Sequence, residues 1–397
     1  MAGLTPVLYV IDNLEFGGGE RGFLQLIRSL TVDGWPVTVA AQPGGRFEAE
    51  ARAAGADFSP VLMTSRVGAG TIVRLRRLVR SGGIGLVHSQ GARADFFARL
   101  ALLGLPNVRL VCTVQMPVDG FDVSPPRRAL YRLADRLGRH RVDRFIVVSE
   151  TLRRRLVAGW ALGPERVTLV YNGVETDLPP PSPEASRGLR SQLGVPDDAR
   201  LLGAVGRLVE QKGFAELIAV MPEVLARIPD VRLTIVGEGP LRPALAAQAR
   251  AAGVADRVLL VGFRSDVAGF LGAVDALVVP SLNEGFPMVI LEAMALGTPI
   301  VASALDGIVE QITDGREGVL VAPGDRPALA RAVITLLSDR ALASRLGQAG
   351  RRRAAAFDVG RMLADTRRVY AEVLGGTVVA PRANGEVWRG RPVPPPS

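Results

Sequence analysis

Twelve short apolar runs, each closed off by Gly, Pro or polar residues, limit most strongly what this chain can fold into. Six come early: PVLYVI (6–11), PVTVA (36–40), GLVHS (85–89), VRLVCTV (108–114), RFIVVS (144–149) and VTLVY (167–171). Six come late: LLGAVG (201–206), VRLTIVG (231–237), RVLLVG (257–262), ALVVP (276–280), TPIVAS (298–303) and GVLVA (318–322). A short, continuous apolar run suits a strand buried on both faces of a parallel sheet. Amphipathic stretches of helical length lie between most of them, as crossovers between parallel strands require. The expected class is α/β, with two doubly wound, Rossmann-like domains facing each other across a cleft.

Between the two sets, TDLPPPSPEASRG (176–188) is proline-rich and aperiodic, which reads as a linker. The expected organisation is a first domain over 1–176, a linker over 177–187, a second domain over 188–356 and a disordered tail over 375–397. The last helical stretch, 357–374, aligns Met362, Leu363, Val369, Tyr370 and Val373, and need not pack on the domain that precedes it.

Composition removes whole classes of function. Apolar residues make up 48% and charged residues 22%, the balance of a globular chain. No run approaches the ~18 apolar residues of a membrane-spanning helix. The opening MAGLTPVLYVIDN has no basic lead and no small-residue cleavage site, so no secretion signal is expected. The single Cys112 excludes a disulfide framework or cysteine zinc site, and His88 and His140 alone cannot form H-E-x-x-H. The expectation is a cytoplasmic protein that needs no metal.

The net charge is +9, and the excess gathers in Pro125–Arg155, with ten Arg against three acids. Within it, 125–141 is basic and amphipathic, with Leu130, Leu133 and Leu137 on one face; TIVRLRRLVR (71–80) is similar. Such helices either rest on anionic membranes or pack into a core with a solvated Arg face. Nucleic acid is not an expected partner, because no aromatic platform accompanies the arginines. Of 48 basic residues only Lys212 is lysine. An ammonium retained among arginines suits a place that wants a compact point charge.

Three places can carry chemistry. Gly17, Gly18 and Gly19 join the first strand to a helix, where backbone can approach a ligand and helix N–H groups can meet an anion. In AVGRLVEQKGF (204–214), Gly206 and Arg207 follow a strand and Lys212 precedes a helix, an arrangement suited to a diphosphate. In PSLNEGFPMVILEAMALGTPIVAS (280–303), seven residues separate Glu284 from Glu292. Glu284 is expected in the loop after a strand and Glu292 about two turns inside the following helix, with Pro287 as its first residue. The N–H groups of Gly285, Phe286 and Met288 are then free for a ligand.

These motifs, with YNGV (171–174), VGEGP (236–240) and VGFRSDV (261–267), resemble the retaining glycosyltransferases of family 4, which have the GT-B fold. The resemblance covers nearly the whole chain. It implies that Arg207 and Lys212 hold the donor diphosphate, that Glu284 faces the transferred sugar, and that Glu292 binds the donor ribose. It also implies that Gly18 and Gly19 approach the phosphates or sugar, that Glu238 and Arg264 border the nucleotide, and that helix 357–374 returns to the first domain. The nucleotide sugar would be a co-substrate, with no cofactor or metal. The acceptor would be a glycan, lipopolysaccharide or glycolipid of the cell envelope, reached from the inner face of the plasma membrane with help from 125–141. The chain departs from the family pattern at Gln90 and Gln115, where members often carry His. Gln115 and His88 are the acceptor-side candidates. A nucleotide-sugar epimerase of the same fold, or a nucleotide-sugar-binding protein without transfer activity, are the alternatives.

Overall fold

A computed structural model describes residues 4–12, 17–63, 68–116, 138–160, 162–177, 179 and 181–376. Its strands are β1 (Val7–Ile11), β2 (Val37–Ala41), β3 (Asp57–Pro60), β4 (Leu86–Gln90), β5 (Arg109–Val114), β6 (Arg144–Val147) and β7 (Val167–Leu169), then β8 (Arg200–Val205), β9 (Val231–Val236), β10 (Val258–Gly262), β11 (Ala276–Val279), β12 (Ile300–Ser303) and β13 (Val319–Val321). They form two sheets, ordered β3-β2-β1-β4-β5-β6-β7 and β10-β9-β8-β11-β12-β13. The strand pairings are parallel in both sheets.

Strand β1 shows why the runs lack alternation. Leu8 and Val10 enter a cluster with Leu75, Val79 and Phe97, while Val7, Tyr9 and Ile11 enter another with Phe23, Ile27 and Met362. Both faces are covered, so every side chain of the strand is buried. The second cluster includes Val369 and Tyr370 of the helix Val359–Val373, so this late segment packs on the first sheet. The backbone joins it there: Val174 N–H donates to Phe357 O and Val359 N–H to Val174 O, both at 2.9 Å.

Chain order reverses between β1 and β4 in the first sheet and between β8 and β11 in the second. Crevices at the carboxyl ends of such strands take ligands in doubly wound folds. The glycine turn follows β1, the Arg207–Lys212 segment follows β8, and the Glu284 loop follows β11. Topology thus gathers all three motifs at switch points.

Several expectations need correction. Strand β3, DFSP, was not among the apolar runs: it is a partly exposed edge strand without a core pattern. The span expected as linker, 177–187, contains the start of a helix, Pro183–Gln192, because Ser182 caps it by accepting the Ala185 N–H at 3.2 Å and Pro183 fits its first turn. Leu189 then packs with Phe270 and Ala273 of the second domain. The stretch 71–80 lies in the helix Ala69–Ser81, which buries Thr71, Leu75 and Val79 in the first domain. Most of the basic stretch 125–141 and of the tail 375–397 lies outside the described residues. No helix of the described residues is long and apolar enough to cross a membrane.

Candidate functional site

On the second domain, the segment after β8 is pressed against the end of β11. Gly213 adopts φ +64°, and a Cβ there would lie 1.9 Å from the carbonyl oxygen of Pro280. Only glycine tolerates both conditions. Leu282 N–H donates to Gln211 O at 2.8 Å, tying the two loops together. Lys212 Nζ consequently meets Glu284 Oε1 at 2.5 Å, and Ser281 Oγ donates to the same oxygen at 2.9 Å. The Glu284 side chain is only 8% exposed and that of Lys212 26%. Burial of this carboxylate is sustained by its two donors. Gly206 lies along the lysine stem, with a Cβ there 3.4 Å from Lys212 Cδ and Cε.

Arg207 is exposed beside this pair in sequence, in a turn held by Leu208 N–H donating to Glu238 O at 2.8 Å. Glu238 is itself exposed, so its backbone shapes the turn while its side chain faces solvent. Arg264 follows Phe263, over whose ring Arg46 of the first domain sits at 5.0 Å, and its Nε is buried with no partner.

The helix after β11 runs Met288–Leu296, with Pro287 as its N-cap rather than its first residue. Glu292 therefore stands just over one turn inside it, not two. This helix is buried nearly all round, and Glu292 is its single charged residue. Burial pushes the Glu292 carboxyl above its usual range, and Arg21 pulls the other way. Arg21 Nη1 reaches Glu292 Oε1 at 2.6 Å across the cleft, while Oε2 is buried without a partner.

The first domain meets these loops closely. The helix Gly18–Val32 begins earlier than expected: Gly17 is its N-cap, Gly18 and Gly19 lie in its first turn rather than in a loop before it, and Gly17 N–H donates to Glu20 Oε2 at 2.8 Å. A Cβ on Gly18 would lie 3.0 Å from Met288 Cγ, one on Gly19 2.9 Å from Gln90 Nε2, and one on Gly285 1.8 Å from Gln115 O. Gly18 and Gly285 therefore let the two halves of the site touch, while Gly19 makes room for Gln90 within the first domain. An amide string lines the first-domain side: Gln115 Nε2 donates to Gln90 Oε1 at 3.2 Å, and Asn172 Nδ2 donates to Gln115 Oε1 at 3.2 Å and to Phe286 O at 3.1 Å.

His88 does not line the cleft and is corrected here as an acceptor-side residue. It is fully buried, with Nδ1 2.5 Å from Tyr370 Oη and Nε2 2.7 Å from Thr113 Oγ1. Burial lowers its pKa to about 3, so its ring is neutral at ordinary pH. The structure brings together Lys212 with Glu284, Gly18 with Met288, and Gln115 with Gly285. Sequence reasoning passed over Arg21, Ser281 and Asn172. Arg21 had a signal, as the first cation after the glycines, Asn172 stood in YNGV (171–174), and Ser281 stood three residues before Glu284 in PSLNE.

Two doubly wound sheets whose switch points face one another make the GT-B architecture. Residues 16–178 match the family model described as Glycosyltransferase Family 4, and 186–353 that described as Glycosyl transferases group 1. The chain thus has the GT-B fold, and two of its segments match these glycosyltransferase models. HepE of Anabaena, crystallised with UDP-glucose, superposes with a TM-score of 0.83 at 22% identity, covering 92% of this chain and 99% of that one. The lipopolysaccharide core biosynthesis glycosyltransferase LpsE of Rhizobium meliloti is 39% identical over 161 residues, 41% of this chain and 46% of that protein. The D-inositol 3-phosphate glycosyltransferase of Thermobispora bispora is 34% identical over 243 residues, 58% of this chain and 56% of its own length. The chain thus spans about half the length of these curated relatives.

Proposed function

We propose that the chain transfers a glycosyl unit from a nucleoside-diphosphate sugar to an acceptor hydroxyl, with retention at the anomeric carbon and without a metal ion. The observation that carries this reading is the Lys212–Glu284 pair at the switch point of the second sheet, with Arg207 in the adjoining turn. Lys212 has three ammonium protons and gives one to Glu284, leaving two for phosphate oxygens. As the bond from the anomeric carbon to the leaving phosphate breaks, negative charge grows on that phosphate. Fixed cations stabilise it without reorganising. The acceptor oxygen bonds to the same face of that carbon, and its proton passes to the leaving phosphate oxygen. A neutral, buried His88 fits a scheme that uses no histidine base.

Glu284 would accept hydroxyls of the transferred sugar, and Glu292 those of the ribose. The first-domain amides would hold the acceptor, which we take to be a cell-envelope glycan or lipid-linked sugar, in keeping with the names of relatives such as LpsE. The decisive experiment titrates UDP-, GDP- and ADP-sugars into the protein in EDTA by calorimetry, then follows the anomer formed with lipid-linked or glycan acceptors. Binding of one nucleotide sugar and a product of unchanged anomeric configuration are expected. Absence of binding to every nucleotide sugar would overturn the reading, and strict dependence on a divalent ion would remove its metal-free part.

A further inference from the structure

The ion pair between Arg21 and Glu292 joins two domains at the one charged position of an otherwise buried helix. Its geometry is lopsided. Where Arg326 meets Glu216, Nε and Nη2 engage both carboxylate oxygens, at 2.6 and 3.1 Å. Such a two-point fork gives both carboxylate oxygens a donor. Arg21 instead takes Oε1 alone, and Glu292 Oε2 is left buried with no donor. A buried acceptor without a partner is costly, and few persist in folded proteins without a use. Glu292 also stands one helical turn beyond Met288, which touches the glycine turn at Gly18. The free oxygen therefore belongs to the seam where both domains meet the donor.

We infer that Arg21 is a positioning residue for the donor: from the first domain it fixes Glu292 by one oxygen, so that the other receives the ribose hydroxyls of the bound nucleotide. This rests on the nucleotide-sugar reading above. It adds that ribose recognition is a property of the closed cleft, since half of the contact comes from the opposite domain.

The test compares affinities for UDP, GDP and ADP with those for their 2′,3′-dideoxy counterparts, by calorimetry on the full chain. The wild type is expected to prefer the ribose form by about tenfold, the scale of one well-made hydrogen-bonding contact. In Arg21→Met that preference falls several-fold towards unity, while affinity for the dideoxy form is unchanged. Arg21→Lys retains part of it, which guards against a folding defect. In a Glu292→Gln background, Arg21→Met has no further effect on the ratio, because the residue acts through that carboxylate. An undiminished ribose preference in Arg21→Met overturns the inference alone. Failure of the wild type to bind any nucleoside diphosphate overturns the donor-site reading and this inference with it.

Discussion

On the second-domain side of the cleft, Lys212, Glu284 and Arg207 gather full charges on loops whose backbones are locked together at Gly213 and Pro280. On the first-domain side, Gln90, Gln115 and Asn172 form a string of amides linked head to tail, with Arg21 as the charged exception at Glu292. The contrast fits the proposed reaction. A departing diphosphate needs charge held in advance, and the backbone contacts that hold it leave little room to adjust. An acceptor hydroxyl needs placement, which neutral donors and acceptors supply without attracting competing ions. Gln90 and Gln115, standing where the resembled family often has histidine, fit this division, because neither side chain can titrate.

The division can be broken most directly at Lys212. Lys212→Ala should lower the rate of sugar transfer by roughly 10²–10³-fold, the scale of losing one preorganised donor to developing charge. A loss below tenfold, in a protein that still folds by circular dichroism, would mean that charge is not concentrated there.

The next effect is on stability. Folded His88 stays neutral down to about pH 3, whereas the unfolded residue protonates near 6.5. The unfolded state therefore binds the extra proton between those values, and stability falls as pH is lowered through that window. Between pH 7 and 5 the drop is ~2 kcal/mol from this residue alone. Melting curves at both pH values should show a smaller fall for His88→Gln than for the wild type.

Gln115→Ala should cost about tenfold in transfer while leaving nucleotide affinity unchanged under the proposed acceptor role, since it removes hydrogen bonds worth ~1–1.5 kcal/mol. A matching loss of nucleotide affinity, seen by calorimetry, would erase the distinction between the two sides. The smallest effect sharpens the same point: Gln115→His should introduce a rate change near pH 6–7 that the wild type lacks. A wild-type pH profile with that limb already present would place a titrating group where amides now stand.

Much of this was legible from residues in order. The runs of both sheet centres read as strands because β1, β4, β8 and β11 are covered on both faces, which erases polar alternation. The β3 segment escaped because an edge strand needs no such run, and the helix at Pro183 was masked by prolines that here start a helix. Lys212 and Glu284 were legible as a pair of motifs at strand ends, whereas Arg21 was not assigned. Its partner lies 271 residues away (292 − 21) on another domain, so no local spacing announces it. His88 looked like a cleft residue because it stands in a strand near the glycine turn. Tyr370, the partner that shows it to be interior, comes from the returning helix.

That helix sets an order of events during synthesis. Tyr9 Oη lies 2.8 Å from Tyr370 Oη, and Val7, Phe23 and Ile27 share a core with Met362 and Val369. The sheet that contains β1 is finished by a helix that follows the whole second sheet in the chain. A nascent chain halted before the helix Val359–Val373 would carry an uncovered apolar face on its first domain throughout translation of the second. Completion of the first sheet thus has to wait for translation of the second.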